Sequence, residues 1–135
     1  MIRLAKVSDI SKLLELSKLS HIKPRIGSWW TCRRTWEKWI GKRCVYLVIR
    51  NREIAAFGAK YKYHIYATVS LKAGAGLELL NSYEPLCCGI VSHTNKAAYR
   101  LYQVAGFTKI LTLKLKVGRR FKTFYVVQKI HSICH

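Results

Sequence analysis

Carboxylates are scarce in this sequence: six Asp and Glu stand against 25 Lys and Arg, a formal net charge of +19. A field of that sign disfavours a polyamine and draws polyanions: nucleic acid, an acidic protein surface, a nucleotide cofactor or anionic lipid. Solubility is the competing explanation, because net charge speaks to partners and not to fold.

Long apolar runs are missing too. None reaches the ~18–20 residues that a membrane-spanning helix needs. The opening Met1-Ile2-Arg3-Leu4-Ala5-Lys6 lacks the uninterrupted apolar stretch of a secretory signal, so a cytoplasmic location is expected. Paired cysteine spacing is also absent. Cys32, Cys44, Cys87, Cys88 and Cys134 are odd in number and form no C-x-x-C, which argues against a disulfide framework and against structural zinc. The tail His131-Ser132-Ile133-Cys134-His135 gathers ligating residue types, but no second cluster exists to close a coordination sphere, so no metal is expected. There is no internal repeat, low-complexity segment or break in composition.

What is present suits one folded domain over residues 1–135, since half of the residues are hydrophobic and the chain is long enough for one core. Ile2 to Ala5 predicts a short strand. Ile10, Leu13, Leu14, Leu16 and Leu19 recur at helical spacing behind Ser8 and Asp9, which predicts a helix over 9–20. Pro24 and Gly27 break that pattern. Over 28–41, Trp29, Trp36, Trp39 and Ile40 form a helical stripe expected to face the core. Arg33, Arg34 and Lys38 interleave with it, and such a mixture can also stack bases and hold phosphates.

Cys44 to Ile49 is a continuous apolar run, as in a buried strand. Asn51-Arg52 supplies a turn, and Glu53 to Ala59 returns as the second arm of a hairpin. Lys60 to Leu71 predicts another strand, with Lys60, Lys62 and His64 on a polar face. A glycine-containing loop, Lys72-Ala73-Gly74-Ala75-Gly76, then opens a helix ending near Pro85. Leu86 to Val91 is a strand, Asn95 to Val104 a helix stopped by Gly106, and 108–116 and 122–130 are strands joined at Gly118-Arg119. This order predicts a mixed α/β layer.

The segment Asn95-Lys96-Ala97-Ala98-Tyr99-Arg100-Leu101-Tyr102-Gln103-Val104-Ala105-Gly106-Phe107 resembles the C-terminal motif N-x-x-A-x-x-L-Y-x-x-x-G-F of the GNAT superfamily of acyl-CoA N-acyltransferases. Ile2-Arg3-Leu4-Ala5-Lys6-Val7-Ser8-Asp9-Ile10 resembles the family's first strand and helix. The resemblance implies a central mixed, largely antiparallel sheet with a splayed parallel pair, flanked by helices. It implies acetyl-CoA as cofactor and an amine as acceptor. By the same resemblance, Asn95 would reach the pantetheine or neighbouring backbone, and Tyr102 would be the general acid that reprotonates the departing thiolate. A phenol near its usual pKa of ~10 can serve that purpose. Leu101, Tyr102 and Phe107 are equally at home as core residues of an amphipathic helix.

The family's cofactor loop, Q/R-x-x-G-x-G/A, cradles a pyrophosphate on backbone N–H groups. Here Leu71 stands at its first position, Gly74, Ala75 and Gly76 at its end, and Lys72 is the substitute phosphate partner. No general base is assigned. Asp9, Glu15 and Glu37 fall on the first helices, Glu53, Glu78 and Glu84 are expected nearer the cleft, and His64 is the remaining candidate. Two readings follow. One is an N-acetyltransferase acting on an acidic or nucleic-acid-associated acceptor. The other is a non-catalytic GNAT-fold module that uses its basic surface, similar to small phage-encoded members, which would place it in a host cytoplasm or a virion. A homodimer through edge strands is compatible with both.

Overall fold

The computed structural model describes residues 1–130. Its elements run β1 (Ile2–Leu4), α1 (Ile10–Ser17), α2 (Lys23–Ile26), α3 (Arg33–Gly41), β2 (Val45–Arg50), β3 (Glu53–Tyr61), β4 (His64–Ser70), α4 (Ala75–Ser82), β5 (Cys88–Ser92), α5 (Lys96–Val104), β6 (Phe107–Val117) and β7 (Arg120–Lys129). Single turns of 3-10 helix lie at Val7–Asp9 and Ser28–Thr31. The histidine- and cysteine-bearing tail at 131–135 falls outside the described residues.

The strands make one sheet in the order β1-β2-β3-β4-β5-β7-β6, antiparallel throughout except for β4 beside β5. The continuous apolar run in β2 follows from burial on both faces. Leu47 packs with Ile10, Leu13 and Trp36 on the side of α1 and α3, while Val48, the next residue, packs with Leu79 and Leu80 of α4 on the other. Asn51 and Arg52 both take positive φ, +51° and +65°, the geometry of a tight two-residue hairpin turn. This mixed, mostly antiparallel sheet flanked by helices matches the expectation. Among the described residues no helix is long and apolar enough to cross a membrane.

Three local expectations hold in part and are corrected in part. The pattern of α1 does end before Pro24 and Gly27, but Pro24 itself lies inside α2, in its first turn, where a helix needs no N–H from that residue. Trp30, not Trp29, joins Trp36 and Trp39 in the core: the 3-10 turn at Ser28–Thr31 changes the angular step, and Trp36 Nε1 donates to Trp30 O at 2.6 Å. Lys60 is buried and Tyr61 and Tyr63 are exposed, against the expected alternation, while Lys62 and His64 are exposed and Ile65 is buried as expected. The β3–β4 turn at Lys62 and Tyr63 splits the segment read as one strand. The Lys60 amine donates to Glu84 at 3.1 Å and lies over the rings of Tyr46 and Tyr83.

Candidate functional site

Parallel strands β4 and β5 pair only at His64 and Cys88. Each is held on its far side, β4 by β3 as far as Ser70 and β5 by β7 as far as Ser92. From their shared start the two strands therefore diverge, and their facing edges have no ladder between them. The divergence opens a cleft of about 880 Å³, walled by β4, β5, α5, the α1–α2 segment and part of β7. Backbone N–H and C=O groups along such a split are strong hydrogen-bonding groups in search of a partner.

Tyr102, expected as the acid, reaches this cleft from α5. Its side chain is buried, packs edge-on against Phe107 with ring centroids 5.0 Å apart, and brings its hydroxyl 3.3 Å from Thr68 Oγ1 on β4. Burial raises its pKa above the ordinary phenol value, and the Thr68 hydrogen bond offsets this in part. The phenol thus keeps its proton at neutral pH. Gly89 on β5 makes room for it, since a Cβ there would stand 3.0 Å from the phenolic oxygen.

Asn95 sits at the same cleft and caps α5, its Oδ1 accepting from Ala98 N at 3.2 Å. Its amide nitrogen donates to nothing among the described residues.

The glycine loop is placed at the C-terminal end of β4, where it opens α4. Gly74 takes φ +77° as the N-cap, a conformation that suits glycine. Gly76 lies so close to β4 that a Cβ would stand 2.7 Å from Ser70 Cβ. Two amides of the helix start are already engaged: Ala75 N–H donates to Lys72 O at 3.1 Å and Gly76 N–H to Ser70 Oγ at 3.0 Å. Glu78 in the first turn places a carboxylate near the positive end of the helix, where Arg50 holds it at 3.3 Å. Arg50 also donates to Ala73 O at 2.8 Å. Lys72 is exposed and lines a neighbouring cavity of about 670 Å³ shared with Arg3, Lys12 and Arg52, rather than the Tyr102 cleft.

Comparison of the sequence with protein-family models and with curated proteins finds no match. Solved structures do resemble it. A ribosomal-protein-alanine N-acetyltransferase from Brucella melitensis superposes with TM-score 0.72 at 17% identity, covering 96% of this chain and 99% of that one. A GNAT-family acetyltransferase from Streptococcus pneumoniae gives 0.71 at 19% identity, covering 98% and 99%. A putative acetyltransferase from Salmonella typhimurium, solved with its cofactor acetyl-CoA, gives 0.72 at 15% identity, covering 100% and 96%. The chain has the GNAT fold.

In this GNAT fold the acids expected near the cleft lie elsewhere. Glu53 lines the neighbouring cavity, Glu78 is held by Arg50 and Glu84 by Lys60. No carboxylate lines the Tyr102 cleft among the described residues, and His64 stands at the β3–β4 turn, outside it. The imidazole on the cleft wall is His21, between α1 and α2, with Arg25 nearby. Sequence reasoning missed both, as well as Thr68 and Ser70. The last two alternate with buried Ala67 and Val69 on β4, a period-two signal that the sequence carries; His21 lies in a connection that carries none.

Proposed function

We propose that this protein binds an acyl-coenzyme A, acetyl-CoA foremost, between β4 and β5 and transfers the acyl group to an amine. The observation that carries this reading is the Tyr102 hydroxyl, buried beside Thr68 where the two strands part. The unpaired strand edges suit an extended arm bearing amides, and the cleft is of the size that holds a ligand of that kind. When bound, acetyl-CoA supplies an acyl carbon open to attack and a sulfur leaving group.

The chain's own residues divide the remaining work. Tyr102 holds a proton at its phenolic oxygen for the departing sulfur. The amide nitrogen of Asn95 holds the arm. Gly74, Ala75 and Gly76 form the phosphate-facing loop, with Lys72 as a cation on its exposed side. His21, on the cleft wall, is the group suited to take the proton of the attacking amine, because an imidazole nitrogen can accept one. The +19 surface favours an acidic or nucleic-acid-associated acceptor. The test is release of free thiol from acetyl-CoA in the presence of a panel of amines. Tyr102→Phe is expected to lower turnover roughly 100-fold or more while leaving acetyl-CoA affinity near that of the parent. Undiminished turnover in Tyr102→Phe overturns the role of the phenol.

One observation favours a second reading, a GNAT-fold binding module without transfer activity. Ser70 already satisfies the Gly76 N–H that a phosphate would need, and the cleft wall has no carboxylate. That reading expects no thiol release with any amine and a steeply salt-dependent affinity for polyanions.

A further inference from the structure

Beside the cleft, exposed aromatic rings and lysines form a continuous band. Trp29 is 54% exposed, Tyr66 47% and Tyr61 42%. Buried Trp39 joins the first two from below, its ring centroid 6.1 Å from Trp29 and 4.8 Å from Tyr66. The ring of His64 continues the band 6.4 Å beyond Tyr66, and Tyr61 pairs directly with His64 across β3 and β4, which places the two on one face of the sheet. Lysines accompany the rings: Lys42 Nζ lies 5.9 Å from the Trp39 centroid and 5.7 Å from that of Tyr61, and Lys62 Nζ lies 5.5 Å from Tyr61.

Core packing does not account for rings this exposed. Carboxylates do not neutralise the band either. Glu37, on α3, is held by Arg33 at 3.7 Å, and Glu84 is held by buried Lys60 beside Tyr46 and Tyr83.

We propose that this band is a binding surface for single-stranded nucleic acid, with bases stacking on Trp29 and Tyr66 and phosphates held by Lys42 and Lys62. Stacking platforms of this kind need exposed ring faces together with cations, and they tolerate any base because every base has a π-face. A duplex keeps its base faces stacked inside and gains only the phosphate contacts. An acidic peptide gains the charge but not the stacking. A second copy of this chain brings like charge against like, at +19 per chain. Neither stacking nor phosphate contact reads the ribose 2′-hydroxyl, so DNA and RNA strands bind alike.

The test is fluorescence anisotropy of labelled oligothymidylate and oligouridylate, each of about 15 nucleotides, with the full-length protein. Both are expected to bind, more weakly as salt rises. Trp29→Leu and Tyr66→Leu are each expected to weaken binding roughly tenfold while melting as the parent does. Lys42→Gln is expected to reduce the salt slope by about one. Tyr61→Leu serves in place of either aromatic variant that fails to fold. A control with Lys114→Gln and Lys116→Gln, on the distant β6 edge, is expected to keep its affinity within a few-fold. Aromatic variants that bind as the parent does overturn the proposal, and so does duplex DNA or polyglutamate binding as tightly as the single strands. The assay contains no acetyl-CoA, so its outcome is independent of acyl transfer.

Discussion

Gly89 and Tyr102 share one space: a Cβ on Gly89 would stand 3.0 Å from the phenolic oxygen and 3.1 Å from the carbon that bears it. Gly89→Ala is therefore expected to destabilise the fold by about 1–3 kcal/mol, the usual cost of overpacking. It also displaces the hydroxyl from Thr68. Tyr102→Phe in the same chain removes one of the clashing atoms and is expected to recover part of the loss. Denaturant melts of the two single variants and the double variant measure the coupling.

The Ser70–Gly76 hydrogen bond makes a prediction with two signs. Ser70→Ala removes the acceptor for Gly76 N–H and is expected to cost about 1 kcal/mol of stability. The same change frees that N–H to meet a phosphate at the start of α4, so acetyl-CoA affinity is expected to stay level or rise. Calorimetry and thermal melts on one preparation read both. A fall in affinity with stability unchanged would show that Ser70 itself contacts the ligand.

Lys129 closes the other end of α4. Its buried amine donates to Leu80 O, Asn81 O and Tyr83 O at 3.2, 3.0 and 2.6 Å, and burial lowers its pKa. Lys129→Met keeps much of the volume but strands these carbonyls. The expected loss is about 2–3 kcal/mol, since each unsatisfied buried group costs about 1–3 kcal/mol. Urea unfolding checks it.

Stability is expected to fall at both extremes of pH. Burial raises the pKa of Tyr83 and Tyr102, so their contribution is complete below the ordinary phenol value of about 10 and is lost as pH rises through the higher folded values. Asp9 behaves in the opposite sense. The Arg3 guanidinium, donating at 2.8 and 3.0 Å, holds its carboxyl below the ordinary range. Its contribution is present above about pH 4 and is lost as pH falls through the folded value. Melting temperature against pH is expected to lose its acid-side drop in part in Asp9→Asn, and its alkaline drop in part in Tyr102→Phe.

Much of the fold was legible because several signals agreed at the same residues. Asn95 caps α5, Gly106 at φ +89° stops it, and the apolar run in β2 is buried on both faces as such runs are. The placement of Tyr102 at the parting of β4 and β5 followed from its motif. Illegible were the features set by tertiary geometry. A 3-10 turn exchanged Trp29 for Trp30, Lys60 lies in β3, buried on both faces where its register with β4 shifts, and the amide of Gly76 found Ser70, six residues away. His21 reaches the cleft from a connection with no periodicity of its own, so only the packed chain reveals it.

Whether the cleft between β4 and β5 holds acetyl-CoA is decided by titration calorimetry of the purified, nucleic-acid-free protein at moderate salt. Saturable one-to-one binding is expected, abolished by Gly76→Glu and left intact by Lys116→Glu on β6. No binding, or weak binding that both variants and rising salt diminish alike, would contradict acetyl-CoA binding in that cleft.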